Sequence, residues 1–299
     1  GIRTLGLIPS WDNISTKGRM PLKCEGYLVW SEQTKSELHD YYPFTRKLPV
    51  YVVGAPQFDV FFRERFRQTR EAFCAEQGLD SNLPIIVYAI GSPNFLSGER
   101  YGALRLAERI ARGELGDVQM IVRPHPIHDN EEMVELFRPF APRVIVQRTG
   151  KAGTSLTARS QDEHQVFEWV NTFRHADVVV NLSSTVTIDA AICDRPIVNL
   201  DYDPTPGTPH QELVKDINHR WTHFKPVAES GGVWLVNDDD EMVEAVRTCL
   251  RQPEVHREAR RRLVDYVCGY ADGRCGQRMA EAVIDFTKKP LKAAAVNVQ

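Results

Sequence analysis

The 299-residue chain carries no surplus of positive charge: 37 Lys and Arg stand against 40 Asp and Glu, a formal net of −3. A nucleic-acid-binding domain is expected to be basic, so that class loses support. The six cysteines, Cys24, Cys74, Cys193, Cys249, Cys268 and Cys275, form neither a CxxC pair nor a Cys/His cluster. That spacing argues against a zinc site and for reduced thiols in a cytosolic setting. No apolar run approaches the roughly 18 residues needed to cross a bilayer, and no signal-peptide pattern is evident. Internal repeats and low-complexity runs are lacking as well. What is there is an ordinary globular composition, 42% hydrophobic and 26% charged, in a chain long enough for two sizeable cores.

The most informative stretch is ADVVVNLSSTVTIDAAICDRPIVNLDYD, residues 176–203. It reads as a buried strand over 178–181, a hydroxyl-rich turn at Ser183, Ser184 and Thr185, a short helix and a second buried strand over 196–200. Continuous apolar runs bounded by turns fit parallel strands covered on both faces, joined here as a βαβ unit. The hydroxyls fall where strand gives way to helix, a place that suits a phosphate as well as a plain helix cap. Upstream, QMIVRPHP at 119–126 is a second apolar strand that delivers Arg123 and His125 off its end. Prolines on both sides of the histidine stop the strand, and arginine offers a planar fork for phosphate oxygens. Two such loops point to a nucleotide-type ligand at the carboxyl edge of a parallel sheet.

Strands are expected over 4–8, 26–31 and 48–54, with a helix over 32–41, and together they resemble part of one α/β domain. The charged, Arg-rich segment 63–82 reads as a linker helix. A second α/β domain follows with strands over 84–93, 119–123, 144–147, 178–181, 196–200 and 232–236, and helices between and after them. The last is a closing helix over 274–287 with apolar positions at helical spacing. The expected division is therefore 1–62, linker 63–82, 83–290 and a tail 291–299.

The segments SWDNISTKG, MPLKCEGYLVWSEQTKSEL and VVGAPQFDVFF, with VRPHP, NLSSTVTIDAAICDRPIVNL and YADGRCGQRMAEAV downstream, resemble bacterial GT-B-type glycosyltransferases of surface-polysaccharide synthesis. They are also similar to the related CDP-glycerol glycerophosphotransferases and nucleotide-sugar 2-epimerases. The resemblance covers nearly the whole chain. It implies an α/β, GT-B-like fold with a partial N-terminal Rossmann-like domain and a complete C-terminal, nucleotide-binding one. Only about 60 residues precede the linker, so part of the first domain is expected to be missing.

The resemblance also implies roles. Ser183, Ser184 and Thr185 match the turn that meets the donor phosphates, and Asp189 the acidic residue that holds ribose hydroxyls, where a surface carboxylate is the alternative. Arg123 and His125 match the strand-end pair near the phosphates, and Gly91 and Ser92 the first loop of that domain. A structural histidine and a ligand-free tight turn are the competing readings for His125 and for Gly91–Ser92. On the first domain Asp12 and Asn13 leave a strand end facing the interdomain cleft; Asp12, the only carboxylate there, is the candidate general base. The glycerophosphotransferases have a histidine in a comparable loop, and an Asx-type turn is the alternative for Asp12. Lys17 and Lys23 could neutralise a leaving diphosphate or stay solvated.

Asp201-Tyr-Asp203 has DxD spacing but closes a strand, so no metal is expected, and no cofactor beyond the donor. Residues 204–210 are either a lid or a connector, and the acidic run 238–241 is placed to cap a helix. The expected activity is transfer of a sugar from a nucleotide-diphosphate donor to a cell-surface glycan or lipid-linked acceptor, by a cytoplasmic protein peripheral to the inner membrane face. The alternatives are a non-catalytic nucleotide-sugar-binding remnant, a glycerophosphotransferase and a 2-epimerase-like enzyme.

Overall fold

The structure of the chain, a computed structural model, describes residues 3–17, 19–20, 22–149, 162–207 and 209–288. It divides into two units, Gly1–Asp59 with Asp265–Gln299, and Val60–Val264. In the first unit three parallel strands, β1 (Leu5–Leu7), β2 (Gly26–Val29) and β3 (Val50–Val52), lie in sequence order. The connections hold helices α1 (Asn13–Thr16) and α2 (Glu32–Tyr41). The central strand β2 is buried at all four positions. Ser31 starts α2 by accepting the Thr34 N–H at 3.3 Å. Trp11 and Trp30 are both buried.

The segment expected as one linker helix over 63–82 is broken up. Two 3-10 turns, Pro56–Phe62 and Glu64–Phe66, precede a short helix α3 (Arg70–Gln77). Phe58, Phe61 and Phe66 are each buried, and the chain follows these anchors instead of a helical period. Helix α3 begins only where Thr69 caps it, and it stops at Gly78 in the left-handed region.

From there the second unit alternates strand and helix: β4 (Ile85–Ala89), α4 (Glu99–Ala111), β5 (Gln119–Arg123), α5 (Asn130–Phe137), β6 (Val144–Val146) and α6 (Glu163–His175). Then come β7 (Val178–Asn181), α7 (Val186–Ile192), β8 (Ile197–Leu200), α8 (Gln211–His219), α9 (Lys225–Ala228), β9 (Trp234–Val236), α10 (Asp239–Arg251) and α11 (Arg257–Cys268). The six strands pair in the order β6-β5-β4-β7-β8-β9, every pair parallel. Strands β4, β7 and β8 are buried at every position, as helices on both faces require. Ala89 lies opposite Arg123 on one side and Asn181 on the other, so β4, β5 and β7 end level at one edge.

The closing helix α12 (Cys275–Lys288), read from sequence as part of the second domain, groups with the three-stranded sheet. Its Ala282 packs with Leu28 and Val53. The Asp59 carboxylate accepts the N–H groups of Cys275 at 3.1 Å and Gly276 at 3.0 Å, closing the N-terminus of the helix. Gly54 lies beneath that junction at φ +89°, where a Cβ would come within 2.4 Å of Cys275 Sγ. Gly54→Ala is therefore expected to cost about 2–4 kcal/mol, from left-handed strain and overpacking together, read as a lowered urea midpoint.

Candidate functional site

The strand order of the second unit reverses between β4 and β7. Chains leaving the two strands there diverge to opposite faces and open a crevice at the carboxyl edge. The turn after β7 is built from its own side chains. Asn181, fully buried, accepts the Ser184 N–H at 3.1 Å and the Thr187 hydroxyl at 3.2 Å. Ser183 takes a left-handed φ of +43°, uncommon for a residue with a Cβ. Its hydroxyl donates to the side-chain oxygen of Asn218 on α8. Ser184 Oγ accepts the Val186 N–H at 3.2 Å, so this hydroxyl is committed to the first residue of α7. Among the described residues the N–H groups of Ser183 and Thr185 have no protein acceptor, and Thr185 is exposed.

Glu99, the first residue of α4, reaches under this edge. One carboxylate oxygen accepts the Gly91 N–H at 2.7 Å and the other accepts the Leu182 N–H at 2.8 Å. The residue is buried, and burial pushes its carboxyl up to about 8 despite those two hydrogen bonds. The donor that Gly91 would offer a ligand is thus already used. A Cβ at Gly91 would meet Glu99 Oε2 at 2.9 Å, so glycine is what lets the carboxylate approach. His128, in the loop after β5, holds the same turn from the other side, with Nε2 3.0 Å from the Gly91 carbonyl. A carbonyl only accepts, so Nε2 carries the proton. Burial lowers the His128 pKa, against the pull of the Gly91 hydrogen bond.

At the end of β5, Arg123 turns into the layer beneath α6. Its guanidinium donates to Gln147 Oε1 and lies 3.9 Å from Glu168, with its side chain 11% exposed. Asp189 is buried too; burial drives its carboxyl well up, against the pull of Arg123 and of a hydrogen bond from Trp169. His125 Nδ1 accepts the Ile127 N–H at 3.3 Å, and the His125 carbonyl accepts the His128 N–H at 2.9 Å, closing the Pro-His-Pro turn. Arg123 and Asp189 are both buried below the edge, within electrostatic reach of each other but not paired. Gly91, Ser92, His125 and the 183–185 turn lie on the loops that leave it.

Beyond β8 both carboxylates of the DxD spacing are taken. Asp201 accepts from Lys215 at 2.6 Å, His219 at 2.9 Å and Asn218 at 2.9 Å. Burial raises this carboxyl, but those three hydrogen bonds outweigh it and leave it below the ordinary value. Asp203 accepts the N–H groups of Thr205 and His210 and so folds the Pro-rich loop, in which residue 208 lies outside the described residues. Asp238 accepts the Glu241 N–H at 2.8 Å, capping α10. Among the described residues no group of three His, Cys, Asp or Glu is spaced to hold a metal ion.

In the first unit, Asp12 precedes α1 and Lys17 Nζ lies 3.3 Å from its carboxylate. Asn13 Nδ2 donates to the other Asp12 oxygen at 3.5 Å, and Thr16 Oγ1 donates to the Asp12 carbonyl at 2.6 Å. Lys23 stands apart from them, over the Phe44 ring at 5.2 Å. Three residues that organise the crevice, Glu99, His128 and Asn218, escape sequence reading. Each acts on a backbone or side chain remote in sequence, and none stands in a motif.

A doubly wound parallel sheet joined to a smaller parallel α/β unit defines the class: this is a GT-B-like fold. The chain belongs to the CDP-glycerol:poly(glycerophosphate) glycerophosphotransferase family, whose model matches residues 22–285. Among solved structures it is similar to a putative UDP-N-acetylglucosamine 2-epimerase from Listeria monocytogenes, at 15% identity and TM-score 0.57, covering 89% of this chain and 61% of that one. The UDP-GlcNAc 2-epimerase from Neisseria meningitidis bound to UDP-GlcNAc gives 14% identity, TM-score 0.55 and coverage of 88% and 61%. The wall teichoic acid polymerase TagF gives 13% identity, TM-score 0.57 and coverage of 95% and 68%. The chain thus spans about three-fifths of the length of the epimerases it resembles. No curated protein sequence matches it. No helix among the described residues is long and apolar enough to cross a membrane.

Proposed function

We propose that the chain is a transferase that moves a sugar from a nucleoside-diphosphate donor onto a hydroxyl of a cell-surface glycan or lipid-linked acceptor. The observation that carries this reading is the pair of N–H groups at Ser183 and Thr185, without acceptors among the described residues, beside the strand-order reversal. A departing diphosphate gathers negative charge, and fixed N–H donors stabilise it without reorganising. On this reading no metal is required, since both DxD carboxylates are occupied by protein donors. Arg123 acts through its field from below the edge, because its side chain is 11% exposed and its Nη1 is given to Gln147 beside Glu168. Asp189 is not proposed as a ribose contact, because its carboxyl is buried on α7. Asp12 is the proposed base for the acceptor proton, with Lys17 Nζ 3.3 Å from its carboxylate. The protein would work at the cytoplasmic membrane face.

The family match favours a second reading, transfer of glycerol phosphate from CDP-glycerol. The two differ in the bond broken. Sugar transfer cleaves the anomeric C–O bond and releases a nucleoside diphosphate. Glycerol phosphate transfer puts the acceptor oxygen on the β-phosphorus and releases CMP.

Thermal-shift titration with UDP, CDP, GDP and dTDP tests the shared donor site. A rise in Tm with one of them, abolished by Thr185→Pro, is the expected result. Thr185 already has φ −56°, so proline removes its N–H while keeping a compatible φ. No shift with any of the four in the wild-type chain refutes the donor site.

A further inference from the structure

We infer that Glu99 is a positioning residue for the donor crevice, fixing the gap between the loop after β4 and the loop after β7 in which a diphosphate lies. The inference rests on the reading of that crevice as the donor site. Few side chains could do this. The two oxygens of one carboxylate serve two different loops, Gly91 at 2.7 Å and Leu182 at 2.8 Å. These loops leave strands that are paired neighbours, with Ala89 opposite Asn181, and then part to opposite faces. Past the last ladder bond, Glu99 is a side chain that hydrogen-bonds to both loops at once. Glu99 starts α4, yet its carboxylate is spent on the two neighbouring loops, so dipole compensation or capping does not account for its place. His128 locks the Gly91 peptide from its carbonyl side, so the turn is held at both ends of one peptide group.

Reach and acceptor number are both needed. Aspartate keeps the carboxyl group but is one methylene short of spanning both N–H groups. Glutamine keeps the length but turns an amide donor toward one of them. Glu99→Asp and Glu99→Gln are therefore both expected to weaken CDP or UDP, whichever the wild-type chain binds, by at least about tenfold. Inorganic pyrophosphate, measured by competition, should weaken by the same factor, since the gap receives the diphosphate and not the base. Amide hydrogen exchange should quicken at Gly91 and Leu182 while Val87, inside β4, stays protected. A general loss of folding would instead expose Val87, and Glu99→Asp serves if Glu99→Gln does not fold. If the wild-type chain binds nucleotide and the variants bind it and pyrophosphate within twofold of wild type, Glu99 does not position the crevice. If the wild-type chain binds no nucleoside diphosphate, the donor-site reading itself fails, and this inference with it.

Discussion

Arg70→Ala is expected to lower the stability of the Val60–Val264 unit by about 1–3 kcal/mol, the scale of leaving hydrogen-bond partners without their donor in a pair that keeps 26% and 34% of its side-chain surface exposed. The guanidinium is shared among four acceptors. Nε donates to the Ser81 carbonyl at 3.0 Å, Nη1 to His175 at 2.7 Å, and Nη2 to Leu83 and to the Asp177 carboxylate, both at 2.8 Å. Asp177 in turn accepts the Ile85 N–H at 2.7 Å, at the first residue of β4. One side chain therefore ties α3, the entry to β4 and the α6–β7 connection at the edge opposite the crevice. Truncation leaves three carbonyls and a carboxylate short of a donor at once. Arg70→Lys should recover only part of the loss, since an ammonium cannot present the same fork. Urea unfolding of the three proteins measures this. A loss below about 1 kcal/mol for alanine would mean water replaces the guanidinium at little cost.

Glu99→Gln is expected to flatten the pH dependence of stability between about pH 4.5 and pH 8. The Glu99 carboxyl rises from an ordinary 4.5 to about 8 because it is buried. Across that window the native protein keeps a proton that the unfolded chain has released. Stability then falls as pH rises, by about 1.4 kcal/mol per pH unit and on the order of 4 kcal/mol across the window. Above pH 8 the group is ionised in both states and adds no further slope. Glutamine does not titrate, so the difference between wild type and variant isolates this residue from the other buried carboxylates, Glu37, Glu168 and Asp189, which burial also raises. Urea unfolding at pH 5, 6.5 and 8 is the measurement. A wild-type-minus-variant difference that stays constant with pH would show that Glu99 ionises normally and that its burial carries no such penalty.

The two variants probe opposite ends of one sheet, and they separate what holds the sheet from what shapes its edge. Most of the sheet was legible beforehand. The apolar runs Ile85–Ala89 and 178–180 fit covered strands, and the chemistry of the Ser183–Thr185 turn that follows the second is written in consecutive residues. The charge density of 63–82 suggests a helix but carries no information about which phenylalanines find a core. Phe61 and Phe66 did find one, and they broke the helix. The closing helix groups with the three-stranded sheet for a related reason. Its apolar stripe is plain in sequence, but the surface it covers is chosen by contacts such as Asp59 with Cys275, 216 positions apart.

The sequence by itself determined the parallel α/β class, the strands, and the residues on the loops that leave the carboxyl edge, because these depend on local pattern and on chemistry carried by neighbours in the chain. Only the tertiary structure decided that Arg123 lies under α6 with Gln147 and Glu168, that Asp189 faces inward, and that the Ser184 hydroxyl is committed to the first residue of α7. It alone joined Glu99 to Leu182 across 83 positions, and Ser183 to Asn218 across 35. The physical reason is the same each time. A polar side chain taken out of water must find a partner, and which partner it finds depends on the packing of segments distant in sequence.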